Sequence, residues 1–522
     1  MRIILAVLAF IALLNQNLCG QATVNFTIDA KQNVQPISRL IYGVNQPIGG
    51  VWANLTFARL GGNRLTAYNW VNNASNAGSD YRYQSDDYLG GGNTPGGAVL
   101  PTLQNAARQN AAALITIPTN GYVSADKNGS VDIHDPARFT TRFKPEAAAK
   151  GSPFTLTPDP RAPVVYQDEF VNWIKSKFPY GQSDPNRPIY FQLDNEPDLW
   201  SETHREVHPD PVSYAEMLQK TIAYSIAIKN VEPRAIIYGP VNYGWAGIVN
   251  LQSAKDANGR DFEAFYLKGL ARAEGSAGKR LLDVLDVHWY PEATGDGGRI
   301  TEAKITPGVI AARLQAPRSL WDPAYFETSW ITRSTRGPIN LIPRLQKIIA
   351  ENYPGTRLSI SEYNYGGGGD ISGAIAEADV LGIFGKLNLF SANEWPLNPN
   401  EPFIAAAFAM YRNFDGENST FGDTSISAAT DDITATSIYA SLDSGNPNQM
   451  IVIAINKTAA PVVANFQLKK AQPFRRIEIY QLTGANSQPT SAGQLSLKNL
   501  PRFTYKMPPY SVSTLRLTSA AR

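Results

Sequence analysis

One cysteine, Cys19, is all that this chain of 522 residues contains, so no intrachain disulfide can form and stability must come from packing. Lysine and arginine form no run, and the formal net charge is only +2. That excludes the basic stripe of a phosphate-backbone binder, and no nucleic-acid partner is expected. Residues 3–14 are apolar but too few to span a bilayer, and no longer apolar stretch follows, so no membrane association is expected. Metal signals are equally sparse. His204 and His208 have i, i+4 spacing, yet Pro209 follows at once and no third ligand is apparent, which argues against zinc. The segment from Asp126 to Asp132 has the look of a calcium loop, but Val131 replaces the required glycine and Ala137 the closing glutamate. The runs Gly90-Gly91-Gly92 and Gly366 to Gly369 lack a following Lys-Ser/Thr and read as flexible loops, not phosphate cradles. No cofactor is indicated, although a structural calcium ion elsewhere in the loops is left open.

What is present begins with a leader. Arg2 supplies a positive charge, residues 3–14 the apolar stretch, and Gly20 a small residue before Gln21. Residues 1–20 are expected to be a secretory signal, and the mature protein to be extracellular. Cys19 falls inside that leader, and Leu18 before it argues against lipid attachment. Six Asn-X-Ser/Thr sequons, Asn54 and Asn128 among them, would matter only in a eukaryotic host.

Eight short apolar runs follow, at residues 40–44, 57–60, 113–117, 189–193, 235–238, 284–288, 358–361 and 389–392. They lack strict polar alternation, as strands covered on both faces do. Helical spacing recurs between them: Phe170, Trp173, Ile174 and Phe178; Tyr214, Met217, Leu218, Ile222 and Ser225; then residues 339–349 and 375–387. Strand and helix alternating eight times predict an α/β fold, a (β/α)₈ barrel over residues 36–411. Residues 124–163 show no period and form an insertion after the third strand. Beyond residue 412 helical period disappears. Segments 433–442, 450–456, 462–468, 476–482 and 511–517 are strand-like, between turns rich in Asn, Gly and Pro. They predict a β-sandwich over 412–522, which residues 21–35 join through the alternating segment 24–28.

Two glutamates carry the chemistry. Glu196 sits in Leu193-Asp194-Asn195-Glu196-Pro197 after the fourth run, and Glu362 in Ser361-Glu362-Tyr363-Asn364-Tyr365 after the seventh. In an eight-stranded barrel those strand tips face each other across the mouth. Two carboxyls about 5–5.5 Å apart are the acid/base and nucleophile of a retaining glycosidase. Asn195 is an amide suited to a sugar hydroxyl, which leaves Glu196 the proton donor. Tyr290 and Arg59 or Arg64 are donors that would keep Glu362 ionised, which makes it the nucleophile.

Eight of nine tryptophans, Trp52, Trp70, Trp200, Trp245, Trp289, Trp321, Trp330 and Trp395, fall at or beyond strand ends; only Trp173 has core-facing helical spacing. Aromatic faces stack on the C–H faces of pyranose rings, so about half of the eight are expected to touch sugar. The candidate substrate contacts are Asn45, Trp70, Asn195, Tyr290, Trp321, Trp330 and Trp395. A polysaccharide is the expected partner and a monomer the expected state. A non-catalytic polysaccharide binder would use the same aromatics but has no need of the two carboxylates. The β-rich tail holds no tryptophan and is expected to pack against the barrel without binding sugar itself.

Several longer strings then carry a resemblance. Leu60-Gly-Gly-Asn-Arg64, Ala67-Tyr-Asn-Trp-Val-Asn-Asn-Ala-Ser-Asn-Ala-Gly-Ser-Asp80, Asp194-Asn-Glu-Pro197, Asp286-Val-His-Trp-Tyr-Pro-Glu292 and Ser361-Glu-Tyr-Asn-Tyr-Gly366 resemble glycoside hydrolase family 44. Ala376-Glu-Ala-Asp-Val-Leu-Gly382 and Phe421-Gly-Asp-Thr424 are similar too. The resemblance implies a barrel with a β-sandwich and retaining endo-hydrolysis of β-1,4-glucans, xyloglucan and soluble cellulose derivatives among them. It implies Glu196 as acid/base and Glu362 as nucleophile. Val71 and Asp198 depart from the family's pattern, with local consequences only. Xylan or mannan on the same barrel is the alternative, because no residue fixes the sugar.

Overall fold

The computed structural model describes residues 22–519 apart from 46–51, 53, 303 and 497–500. The predicted signal segment lies outside the described residues. Eight parallel strands close into a barrel: Gly43–Asn45, Phe57–Leu60, Ala112–Ile117, Ile189–Leu193, Ile237–Asn242, Val284–Trp289, Arg357–Tyr363 and Ser391–Glu394. Each overlaps one of the eight apolar runs. Helices Gln167–Lys177, Tyr214–Val231, Phe262–Ala277, Leu341–Asn352, Ile371–Lys386 and Pro402–Arg412 stand among those strands in the chain and share their core. Ser213 and Asp261 start two of them, each accepting a backbone N–H with its side chain three residues on. No helix among the described residues is long and apolar enough to cross a membrane.

The strands read as continuous apolar runs only at first sight. Along the inward face every second residue changes from apolar to polar toward the C-terminal tips. Phe57, Leu114, Tyr190 and Val284 pack low in the barrel with Tyr238 and Phe390. Two residues further on stand Arg59, Thr116, Gln192 and Asp286, all fully buried. The barrel thus has an apolar floor and a polar upper layer, and the polar layer lies under the mouth where a site must be built.

The tail forms a mostly-β domain. Its ten-stranded sheet folds over so that Ile477 and Ile479 near one end share a core with Phe466 and Phe503 near the other. The N-terminal strand Thr23–Asp29 belongs to this sheet, antiparallel to Thr424–Thr430 and parallel to Val462–Lys469. Strand Gln449–Asn456 shows how the two domains meet. Met450, Val452 and Ala454 enter the core of the β domain, whereas Ile451, Ile453 and Ile455 join the barrel's.

That seam also carries a buried ion pair. Lys457 Nζ lies 2.5 Å from Asp379 of helix Ile371–Lys386, and the two side chains are 1% and 2% exposed. Tyr439 donates its hydroxyl to the other Asp379 oxygen at 2.5 Å. Removing one partner strands a buried charge, whereas neutralising both does not. Lys457→Met should therefore cost about 3–5 kcal/mol in chemical denaturation. The double variant Asp379→Asn/Lys457→Met should recover much of that loss, and equal losses would show the pair to be idle.

Candidate active site

Glu196 does not continue its strand. Asp194 and Glu196 adopt φ of 64° and 46°, a left-handed turn that side chains rarely take without support. The support is the Asp194 carboxylate, which accepts from Thr66 Oγ1, Thr119 N, Asn195 N and Trp200 Nε1 at 2.5–3.2 Å. So braced, the turn delivers Glu196 to the mouth, where 21% of its side chain stays exposed. Glu362 lies on the seventh strand, opposite His288 after a register slip between the sixth and seventh strands. Such irregularities re-aim side chains at sites.

His288, Glu196 and Glu362 each offer an atom within 4.8 Å of the others. His288 Nδ1 stands 2.8 Å from Glu196 Oε1 and 3.5 Å from Glu362 Oε2. Its Nε2 is buried without a partner among the described residues. Burial pushes the imidazole down to about 4, so the ring is neutral at pH 7. A buried orphan N–H costs more than an idle lone pair would suggest, and the proton belongs on Nδ1, donated to Glu196 Oε1. Oε2 of Glu196 is then the oxygen free to carry the acid proton. Burial pushes Glu196 itself up to about 7, against the pull of Arg59.

Glu362 has the opposite surroundings. Arg59 Nη1 donates to its Oε1 at 2.5 Å and Tyr290 donates its hydroxyl to Oε2 at 2.9 Å. Arg59 is fully buried, and its other hydrogen bonds go to Gln192, Asn45 and Asn195. Arg64, the alternative partner in the sequence, pairs with Asp86 at 2.6 Å and lies over the Tyr88 ring. Reach decides between them: Arg59 points into the barrel from its strand, whereas Arg64 sits in the loop beyond.

The predicted substrate contacts divide. Asn195 and Tyr290 border the two glutamates, Asn195 with its Oδ1 taken by Arg59. Trp395 lines a cleft of about 490 Å³ with Gly62, Arg64, Tyr81, Asp86 and Tyr88. Gly62 has φ 89°, and a Cβ there would lie 2.7 Å from the Trp395 ring, so only glycine fits. Trp330 is 40% exposed at the start of the short helix Trp330–Thr335, between the sixth and seventh strands. Three assignments fail. Asn45 is 1% exposed and spans Ser361 O and Arg59, a brace and not a sugar contact. Trp70 is fully buried, stacked on Phe170 at 5.4 Å with its Nε1 on the Tyr166 carbonyl. Trp321 stands at the seam with the β domain, 5.2 Å from Lys386. Trp200 and Trp289 are buried as well, while Trp52 packs on Phe408 and Trp245 beneath Arg344. Four of the eight, Trp70, Trp200, Trp289 and Trp321, are thus taken up by core or seam, because long loops fold back and need their own cores.

Other sequence readings resolve physically. Asp126 pairs with Arg142, Nε to Oδ2 at 2.8 Å. The ring nitrogens of His204 and His208 face glutamates and backbone carbonyls. Gly366 is no flexible linker: it is buried, and a Cβ would meet Ile300 O at 2.2 Å. Val71 is buried beside the insertion, whereas Asp198, two residues after Glu196, accepts the Tyr243 N–H and is close enough to Glu196 to feel its charge. His288 and Gln192 were missed. Their signal was a polar residue on the inward register of an apolar run.

A (β/α)₈ barrel with one proton-holding carboxyl and one carboxyl gripped by donors at facing strand tips is the frame of a glycoside hydrolase. The profile of glycoside hydrolase family 44 matches residues 74–293. Endoglucanase A of Paenibacillus lautus is 42% identical over 504 residues, covering 94% of this chain and 71% of that protein. A family 44 xyloglucanase from Paenibacillus polymyxa, solved with xyloglucan, superposes with TM-score 0.91 at 39% identity, covering 95% and 100% of the two chains. A family 44 endoglucanase from Clostridium thermocellum gives TM-score 0.91 at 40% identity, with the same coverage of 95% and 100%. An α-L-arabinofuranosidase from Thermotoga maritima, 14% identical with TM-score 0.57, shares the fold alone. The chain belongs to glycoside hydrolase family 44.

A general acid must be protonated to act, so with Glu196 in that role kcat/KM should fall as pH rises through about 7, the value to which burial carries it. A pH–rate profile measures this. Glu196→Gln should erase that limb, and a limb that survives would belong to another group.

Proposed function

We propose that this family 44 hydrolase is a secreted, retaining endo-β-1,4-glucanase acting on xyloglucan and soluble cellulose derivatives. The observation that carries the reading is the contrast between two carboxyls no more than 4.8 Å apart at their nearest atoms. That spacing suits direct attack; inversion needs about 6.5–9.5 Å to admit a water. A Glu362 oxygen attacks the anomeric carbon while Glu196 Oε2 gives its proton to the departing glycosidic oxygen. The result is a glycosyl ester on Glu362 and a released chain end. Glu196, now ionised, takes a proton from water, whose oxygen displaces Glu362 and restores the β-configuration. Arg59 and Tyr290 hold the carboxylate before attack and receive it again on departure. Asn195, its Oδ1 fixed by Arg59, keeps its amide nitrogen for a hydroxyl of the bound sugar. Trp395 supplies a ring face over the cleft.

The substrate and secretion rest on the relatives and on the leader read in residues 1–20. A xyloglucanase and endoglucanases stand among the relatives. A bifunctional glucanase-xylanase, 29% identical with TM-score 0.82, favours xylan as a second substrate. Reducing-end assays on xyloglucan, carboxymethylcellulose, xylan and mannan should give the highest rate on the first two, and activity confined to xylan or mannan would replace this substrate.

Glu362→Ala should abolish turnover, because no other group reaches the anomeric carbon from that face. Glu196→Ala should lose about 10²–10⁴-fold on glucans yet keep activity on aryl glycosides with acidic phenols, and azide should rescue it with retained configuration. Proton NMR of the first wild-type product is the direct check. An α-anomer appearing first would mean inversion and a different role for Glu362.

A further inference from the structure

His204 has no part in the chemistry above, yet its two ring nitrogens are both engaged. It ends the short helix Trp200–Thr203, on the same loop as Glu196, and is fully buried. Nδ1 lies 2.6 Å from Glu206 Oε1, and Nε2 lies 2.8 Å from the carbonyl of Asn63 on the loop after the second strand. Glu206 is also fully buried, with no partner for its Oε2 among the described residues. A carbonyl only accepts, so Nε2 must carry a proton. A lone pair on Nδ1 would face a carboxylate, so a second proton must lie between Nδ1 and Oε1. The pair is then neutral as a whole, the one arrangement that leaves no bare charge in the interior.

The surrounding charges agree. Burial by itself lowers the His204 pKa, but Glu206, the Asn63 carbonyl and Asp194 together carry it above its usual value. Arg138 donates to the Glu206 carbonyl at 2.8 Å, and Asp80 is exposed on the neighbouring turn. Asn63 is also well placed to matter. Its neighbour Gly62 donates its N–H to Asn195 Oδ1 at 3.2 Å and packs against the Trp395 ring.

We propose that His204 and Glu206 form a proton-locked strut that ties the Glu196 loop to the Gly62–Asn63 wall, making both positioning residues for hydrolysis. The strut aligns Asn195 and Trp395 with the catalytic pair without touching substrate. Its kinetic consequence rests on the hydrolase reading; its protonation state does not.

The four histidines make ¹⁵N-histidine NMR of the whole protein a direct test. His204 should show both ring nitrogens protonated and no titration through neutral pH, and a singly protonated ring would overturn the strut. Kinetics supply the second arm. His204→Gln places an amide nitrogen where Nε2 was and keeps the donor to Asn63. His204→Asn places it near Nδ1 and loses that donor. Both leave Glu206 less well paired and should melt earlier. Only the Asn variant should lose about 10- to 100-fold in kcat/KM, the scale of a misplaced site. Glu206→Gln keeps the Nε2 donor to Asn63, since its amide can donate to an unprotonated Nδ1, and should retain kcat/KM while the His204 ring becomes singly protonated. Equal kinetics for the Gln and Asn variants would reduce the pair to a stability element. A wild type that hydrolyses no glycan would sink the hydrolase reading while the NMR result stood or fell by itself.

Discussion

The guanidinium of Arg59 is the constraint on which the site depends. It is fully buried in the barrel, and a cation there is tolerable only if every donor finds an acceptor. Gln192, Asn45, Glu362 and Asn195 are those acceptors. They come from the first, fourth and seventh strands and from the turn that presents Glu196. Their positions are therefore not independent: a slip of one strand would leave a charge or an amide unpaired in the interior. The planar fork of arginine meets several partners in fixed directions, which an ammonium cannot do. Gln192 extends the set by donating to Asp286 and Ser361, so the polar layer links six of the eight strands once Thr116 is included.

Helix Ile371–Lys386 links the β domain to the site. Glu377 in Ile371–Lys386 accepts the hydroxyl of Tyr363, the residue next to Glu362. Two residues on, Asp379 is clamped by Lys457 and Tyr439 of the β domain. Gly382 lets the helix approach closely, since a Cβ there would lie 2.2 Å from the Tyr439 ring. The string Ala376-Glu-Ala-Asp-Val-Leu-Gly382 is thus a docking face. The tail supports the wall behind Glu362 and has a structural task whether or not it meets sugar.

Much of the barrel was legible because burial on both faces makes a parallel strand a local apolar run, and helices between them repeat at their own period. The tail was only partly legible. Strand Asn486–Ser496 is mostly exposed and polar; apart from Leu495 against the β-domain core, backbone pairing with Arg476–Thr483 is what shows it to be a strand. Strand Thr424–Thr430 was likewise hidden, being mostly Ser, Thr and Ala.

The sequence by itself determined the architecture and the two glutamates, since strand tips in a (β/α)₈ barrel converge wherever their strands fall in the order. Only the tertiary structure decided what surrounds them. Arg59 and Arg64 are five residues apart, yet one faces Glu362 and the other Asp86. Trp70 and Trp395 both follow strands, yet one is core and the other wall. Periodicity reports which side of an element is covered, a matter of neighbours a few residues away. Whether a loop residue is covered, and which charge a polar one meets, depends on chain hundreds of residues distant folding back over it.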